Sequence, residues 1–227
     1  MRYDAVFLDV DGTLLRMDLD VEGYVRDLAP YATNGLLTVE RIREPLQESW
    51  RRHINENVNY GTEEELARFR HENARKTARA LGLDAPAEVL MKISEKRIHF
   101  NPYPESEEVM EELVRMSVPL YVVSNWDVAL ESVLADLGWT SYFSGIVASA
   151  KVGSEKPAKA IFEEALSLAG IPRERVVHVG NDPIADVWGA ASCGIDAVLV
   201  DRRGGLEVPE AVSILSDLRG LPALVKA

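Results

Sequence analysis

Ala5-Val6-Phe7-Leu8-Asp9-Val10-Asp11-Gly12-Thr13 is the stretch that decides how this 227-residue chain reads. A short apolar run broken by glycine reads as a buried strand ending in a tight loop. Buried parallel strands present their carboxyl ends to ligands. The period of two along an extended chain sends Asp9 and Asp11 to the same side. Two carboxylates so placed suit a nucleophile beside a proton donor, or a shared divalent cation.

Working outward, four more β-branched runs follow, at residues 118–123, 145–148, 176–179 and 197–200, separated by amphipathic helical patterns. Such alternation predicts a parallel sheet covered by helices on both faces. Residues 16–103 differ, being rich in Glu, Arg, Leu and Ala. Helices are expected over 21–29, 38–55, 63–81 and 86–100, and no strand is expected there. Asn101-Pro102-Tyr103-Pro104 reads as the return link, since two prolines stop a helix and stiffen the chain. The organisation expected is therefore an α/β core of residues 1–15 and 104–227. An all-helical insertion, 16–103, would hang as a lid over the two carboxylates.

If the first strand carries chemistry, the other strand ends should deliver partners. After the second strand comes Ser124-Asn125-Trp126-Asp127, where a hydroxyl and backbone amides at a helix start suit a phosphate oxygen. Asp127 also reads as the N-cap of a helix over 128–137. Lys156 precedes Pro157, which opens a helix and holds Lys156 extended, able to reach into the cleft. After the fourth strand, Gly180-Asn181-Asp182-Pro183-Ile184-Ala185-Asp186 offers hard oxygen donors of the kind that hold Mg²⁺. Asp182 has a competing use as an N-cap ahead of Pro183. His178, inside an apolar strand, reads as a core histidine. Arg51-Arg52-His53 and Arg68, Arg70 and His71 either place cations over the cleft or, more commonly for such stretches, read as solvated helix faces paired with Glu63, Glu64, Glu65 and Glu72. Tyr103 and Trp126 either border the cleft or pack the link.

Composition narrows the partners. With 25 Lys and Arg against 37 Asp and Glu, the formal charge of -12 argues against nucleic acid or an anionic membrane. No run of 18 apolar residues occurs, so no membrane-spanning segment is expected. The single cysteine, Cys193, reads as packing at a small-residue helix end and fits a reducing interior. A cytoplasmic protein, monomer or homodimer, is the expectation.

With Asp9-x-Asp11-Gly12-Thr13, Ser124-Asn125, Lys156-Pro157 and Gly180-Asn181-Asp182-(x3)-Asp186 in order, the sequence resembles the haloacid dehalogenase-like (HAD) hydrolase superfamily. The helical insertion matches that family's small α-helical (C1) cap. The resemblance implies a Rossmann-like parallel sheet in the order 5-4-1-2-3. It also implies Mg²⁺ dependence and covalent catalysis through an aspartate. Asp9 would be the nucleophile, Asp11 the acid and base, Lys156 and Ser124 further catalytic groups. Gly12, Thr13 and Asn125 would position a small phosphorylated metabolite. Metal ligation would fall to Asp9, Asp11, Asp186 and either Asn181 or Asp182, because Asn181 stands where the family usually has an aspartate. The phosphatase-type branch is the better match, since the 2-haloacid dehalogenase branch usually lacks a carboxylate at the position of Asp11. A dehalogenase or phosphonate hydrolase on the same fold, or a non-catalytic metabolite-binding protein with a weakened metal site, are the alternatives.

Overall fold

The computed structural model describes residues 1–227. β1 (Ala5–Leu8) is followed by β2 (Leu15–Leu19), then α1 (Val21–Leu28), α2 (Val39–Glu56), α3 (Glu63–Leu81) and α4 (Ala87–Arg97), and β3 (Ile98–Pro102). Next come α5 (Ser106–Arg115), β4 (Leu120–Ser124), α6 (Leu130–Asp136), β5 (Phe143–Ala148), α7 (Ser149–Val152) and α8 (Lys159–Ala169). The chain continues with β6 (Val176–Gly180), a π-helical turn (Pro183–Trp188), α9 (Gly189–Ser192), β7 (Asp196–Val200), β8 (Ser213–Leu215) and α10 (Leu221–Lys226).

Six of these strands form one parallel sheet in the order β5-β4-β1-β6-β7-β8. The five strands expected from sequence keep their mutual order, and β8 adds an unforeseen sixth at the edge beyond β7. β1 is apolar throughout because it is covered on both faces. Val6 and Leu8 pack with α5, α6 and α10 through Val109, Met110, Leu113, Leu130, Leu134, Leu221 and Val225. Ala5 and Phe7 face the opposite layer, against Ile161, Phe162, Ala165 and Leu166 of α8. This period-two division is the pleat of the strand expressed as two cores. From β1 the chain builds outward through β4 to β5, then returns to β6 and builds the other way. The strand order thus reverses beside β1, and its carboxyl end faces the crevice where α/β sheets bind ligands.

Between β1 and α5 the structure departs from the all-helical expectation. β2 and β3 pair antiparallel, Leu15 opposite Pro102 through Leu19 opposite Ile98. Their partners are about eighty residues apart in sequence, so no local pattern reveals the ladder. The last expected helix consequently stops at Arg97, where Ile98-His99-Phe100 turns to strand. The helices carried on this ribbon have their own core of Tyr24, Leu28, Leu37, Ile42, Ala78, Leu81 and Leu90. Local chemistry sets their ends. Thr62 and Glu65 form a reciprocal capping box at the start of α3, and Gly82 closes it in the left-handed conformation.

The helical segment meets the sheet-bearing part through Leu66 and Phe69 against Val128 and Ala150. Beside that contact, buried Asp127 accepts bonds from Arg70 Nη2 at 2.7 Å and His53 Nε2 at 3.2 Å. Its Oδ1 accepts from Ala129 N at 2.9 Å, so α6 begins only at Leu130. Arg70 and His53 are therefore not merely solvated helix faces; they tie the segment to the end of β4. Arg52, Arg68 and His71 do pair within the segment, with Glu48, Glu64 and Glu88. No helix is long and apolar enough to cross a membrane.

Burial pushes the Asp127 carboxyl up, but the bond from His53, the Arg70 charge and the Ala129 amide together bring it below the usual carboxylate range. A depressed carboxylate stabilises the fold above its unfolded pKa of about 3.9, and that contribution is lost as pH falls through the lower folded value. Asp127→Asn should therefore be less stable than the wild type by about 1–2 kcal/mol at pH 7. Urea denaturation at descending pH should find the gap closing below about pH 4.

Candidate active site

Asp9 extends β1 by one ladder bond, its N–H donating to the Val179 carbonyl at 2.9 Å, which fixes its side chain at the strand end. Lys156 arrives from the loop after α7 and is buried, as is Asp186 from the π-helical turn. The ammonium donates to Asp9 Oδ1 at 2.7 Å and to Asp186 Oδ1 at 2.6 Å. Asp186 is held further by His178 Nε2 at 2.9 Å and by the Asp182 N–H at 2.9 Å. Burial alone would raise Asp186, but Lys156 and His178 bring its carboxyl far below the ordinary range. Asp9 goes the other way, since burial outweighs the Lys156 charge and lifts its pKa. Burial disfavours the Lys156 cation, yet the two carboxylates overcome it and raise its pKa. The three groups together carry one net negative charge.

The remaining partners close around Asp9. Ser124 Oγ donates to Asp9 Oδ1 at 3.0 Å and Thr13 Oγ1 to Asp9 Oδ2 at 3.3 Å. Asn125 turns its carboxamide to the main chain of Lys156, donating to its carbonyl at 2.9 Å and accepting from its N–H at 2.6 Å. It thus anchors the lysine. Asp11 is solvent-exposed as a residue and its Oδ1 accepts from the Met17 N–H in β2 at 3.1 Å. Burial of the carboxyl raises its pKa, the Met17 bond acts against this, and the Asp9 charge adds to the rise. No cation pairs with it.

Two glycines make room for this arrangement. Gly12 has φ +85°, and a Cβ there would overlap the Asn181 carboxamide. At Gly180 a Cβ would overlap the Asp186 carboxylate. His178 is the partner that sequence reading understates. Its ring stands edge-on to Phe162 in the core, but Nε2 faces the carboxylate while buried Nδ1 has no partner. Only the sheet register, Phe7 opposite His178, brings it beneath the site.

The donor set can be tested for a hard divalent cation at Asn181. The inward atom of its carboxamide lies 3.2 Å from Asp9 Oδ2 and 2.9 Å from the Asp11 backbone oxygen. As oxygen it faces these two acceptors with no proton between them; as nitrogen it donates to both. Neighbouring ligands of an octahedral Mg²⁺ at about 2.1 Å are roughly 3 Å apart. Asp9, the Asp11 carbonyl and Asn181 therefore fit such an ion only with the Asn181 oxygen turned inward; turned as nitrogen, the carboxamide donates to both and holds no ion. Asp186 has both oxygens engaged. Asp182 Oδ1 caps the following turn through the Ile184 and Ala185 N–H groups, both at 2.7 Å, the N-cap use that its position before Pro183 allows. Trp126 packs at 5.6 Å from Phe100 of β3, and Tyr103 lies under Arg202, so both pack the link.

Gly180→Ala should cost about 1–3 kcal/mol in urea denaturation by overpacking against Asp186. Combined with Asp186→Ala, which removes the overlapping carboxylate, the loss should be smaller than the sum of the single losses.

A profile of the haloacid dehalogenase-like hydrolase family matches residues 3–194. The chain is 35% identical over 125 residues to haloacid dehalogenase-like hydrolase domain-containing protein 3 of Danio rerio, covering 53% of this chain and 51% of that one. It is 31% identical over 207 residues to a glyceraldehyde 3-phosphate phosphatase of Methanothermobacter thermautotrophicus, covering 88% and 86%. The chain spans about half the length of the first curated relatives it matches. In fold it resembles a 2-haloacid dehalogenase of Pseudomonas syringae, with a TM-score of 0.69 at 21% identity over 99% and 98% of the two chains. A parallel sheet reversing beside Asp9, the four ordered motifs at its strand ends and the profile match over most of the chain together make this protein a member of the haloacid dehalogenase-like hydrolase family.

Proposed function

We propose that the protein hydrolyses small phosphomonoesters through a covalent aspartyl-phosphate on Asp9, with residues 16–103 acting as a lid on a core of residues 1–15 and 104–227. The observation that carries this reading is Asp11. It is a carboxyl group with raised pKa, two residues beyond the nucleophile, that no cation neutralises. Such a group can protonate a departing alkoxide, a service that a departing halide does not need. Similarity to the Methanothermobacter phosphatase over most of both chains supports it.

In the first step a carboxylate oxygen of Asp9 attacks phosphorus in line. The P–O bond to the alcohol breaks, and Asp11 gives its proton to the leaving oxygen. In the second step the Asp11 carboxylate takes a proton from the attacking water. The P–O bond to Asp9 breaks, releasing phosphate and regenerating both carboxyl groups. Ser124 and Lys156 orient Asp9 and supply donors for transferring oxygens. Asn125 holds Lys156, and Thr13 holds Asp9. Bringing Asp9 to about 4 Å from a phosphate dianion costs roughly 8 kcal/mol at an effective dielectric near 20. The lysine already shared with Asp186 does not offset this alone. Mg²⁺ held by Asp9, the Asp11 carbonyl and Asn181 would supply the missing positive charge.

Phosphate release from p-nitrophenyl phosphate and a panel of small phosphometabolites, with Mg²⁺ and with EDTA, tests the reading. Turnover should require Mg²⁺ and vanish in Asp9→Asn. Halide release from 2-haloacids without phosphatase activity would overturn it in favour of a dehalogenase. The raised pKa of Asp11 keeps its proton to higher pH than an ordinary aspartate, so kcat/KM on alkyl phosphates should fall as pH rises through that value. Asp11→Asn should lose that limb and about 10²–10⁴-fold in rate. Asn181→Asp should bind Mg²⁺ at least roughly tenfold tighter by titration calorimetry, because a full charge replaces a dipole beside the ion.

A further inference from the structure

Arg202, in the loop after β7, reaches back to the strand carrying the two carboxylates. Its Nη2 donates to the Thr13 carbonyl at 2.7 Å and its Nε to the Gly12 carbonyl at 3.3 Å. Its Nη1 donates to Glu105 Oε1 at 2.6 Å, and the guanidinium lies over the Tyr103 ring, 3.4 Å from its centroid. Glu105 is 2% exposed. Burial pushes its carboxyl up, but the Arg202 bond and charge bring it below the usual range.

These contacts converge on one structural point. Gly12 and Thr13 directly follow Asp11 and lead into β2, while Tyr103 and Glu105 receive the chain from β3. The Tyr103 N–H donates to the Leu14 carbonyl at 3.0 Å, and Ser106 Oγ to the same carbonyl at 2.6 Å. Both crossings between sheet and ribbon are thus pinned together. The Asp11 carboxyl is held from the ribbon side by the Met17 amide. Its aim depends on the angle at which β2 leaves the Asp9–Thr13 loop. A planar fork whose donors sit on three separate nitrogens spans two carbonyls and a carboxylate at once, which the three donors on a single ammonium nitrogen do not reach.

We propose that Arg202 is a positioning residue that aims Asp11 at the leaving group by fixing the Gly12–Thr13 turn to the base of the β2–β3 ribbon. This rests on the phosphomonoesterase reading above, in which Asp11 is the proton donor. Arg202 does not touch substrate; it acts through Asp11. Its loss should therefore resemble a partial loss of general acid, and matter most where the leaving alcohol is a poor one.

The test compares the wild type with Arg202→Met, Arg202→Lys and Asp11→Asn, all saturated with Mg²⁺. Two esters are used: glycerol phosphate, with a poor leaving group, and p-nitrophenyl phosphate, with a good one. Arg202→Met should lower kcat on glycerol phosphate roughly 10- to 100-fold, with p-nitrophenyl phosphate affected less than about threefold and KM within about twofold for both. Arg202→Lys keeps a cation against Glu105 and preserves the fold if the methionine variant does not. It should show the same split between esters, smaller in size. Equal losses on the two esters in the lysine variant, while Asp11→Asn discriminates between them, would overturn the positioning role and leave the phosphatase reading standing. Absence of discrimination in Asp11→Asn itself removes Asp11 as the acid and takes both down.

Discussion

Everything at the site is arranged around a buried ammonium between two buried carboxylates. Taking such charges out of water is costly, and the cost is offset only when hydrogen bonds satisfy the remaining valences. Here they do. Asp9 is held by Lys156, Ser124 and Thr13, and Asp186 by Lys156, His178 and the Asp182 amide. The donors come from four strand ends and the loops between them, so the network closes only when the whole sheet is in register. Deleting Lys156 would leave two carboxylates buried against each other with no compensating charge. Burial keeps the Asp9 carboxyl raised against the opposing charge of Lys156, whereas at Asp186 Lys156 and His178 together overcome burial.

The helical segment is attached by two different kinds of contact. At the ribbon, β2 and β3 cross into the sheet-bearing part with their backbones hydrogen-bonded together and Arg202 at their base. Farther out, Arg70 and His53 close on Asp127 beside a small apolar contact. The first is a continuous main-chain structure. The second is a few side chains, one of them an arginine 38% exposed, and is the weaker attachment. The insertion is thus held firmly at its root and lightly at its rim, above the carboxyl end of β1.

Much of this was legible in the chain. The apolar run ending in Asp9-x-Asp11 marks β1; Ser124 and Lys156, from other strand ends, hydrogen-bond Asp9, and Asp186 reaches it through Lys156. The helix boundaries in the insertion follow from local chemistry, such as the Thr62–Glu65 capping box. What escaped was non-local. β2 and β3 are only five residues each. Leu15, Met17 and Leu19 alternate with Arg16 and Asp18, and Ile98 and Phe100 with His99 and Asn101, but the pairing joins segments about eighty residues apart. His178 was read as core because its neighbours are apolar; its role depends on a carboxylate eight residues on that a π-helical turn swings back beneath it. Arg70 and Arg202 reach their partners across 57 and 190 residues of sequence, distances over which no pattern signals contact.

By itself, then, the sequence determined which groups the protein brings to its chemistry, and at which strand ends, because apolar periodicity and turn residues are encoded locally. Only the tertiary structure decided how those groups share charge. Whether Asp9 or Asp186 is the more acidic, whether Asn125 faces substrate or Lys156, and which way Asn181 turns its carboxamide all depend on atoms from distant segments meeting within 3 Å or so. Electrostatics in a buried site are set by distance and desolvation, and both belong to the folded chain rather than to any stretch of it.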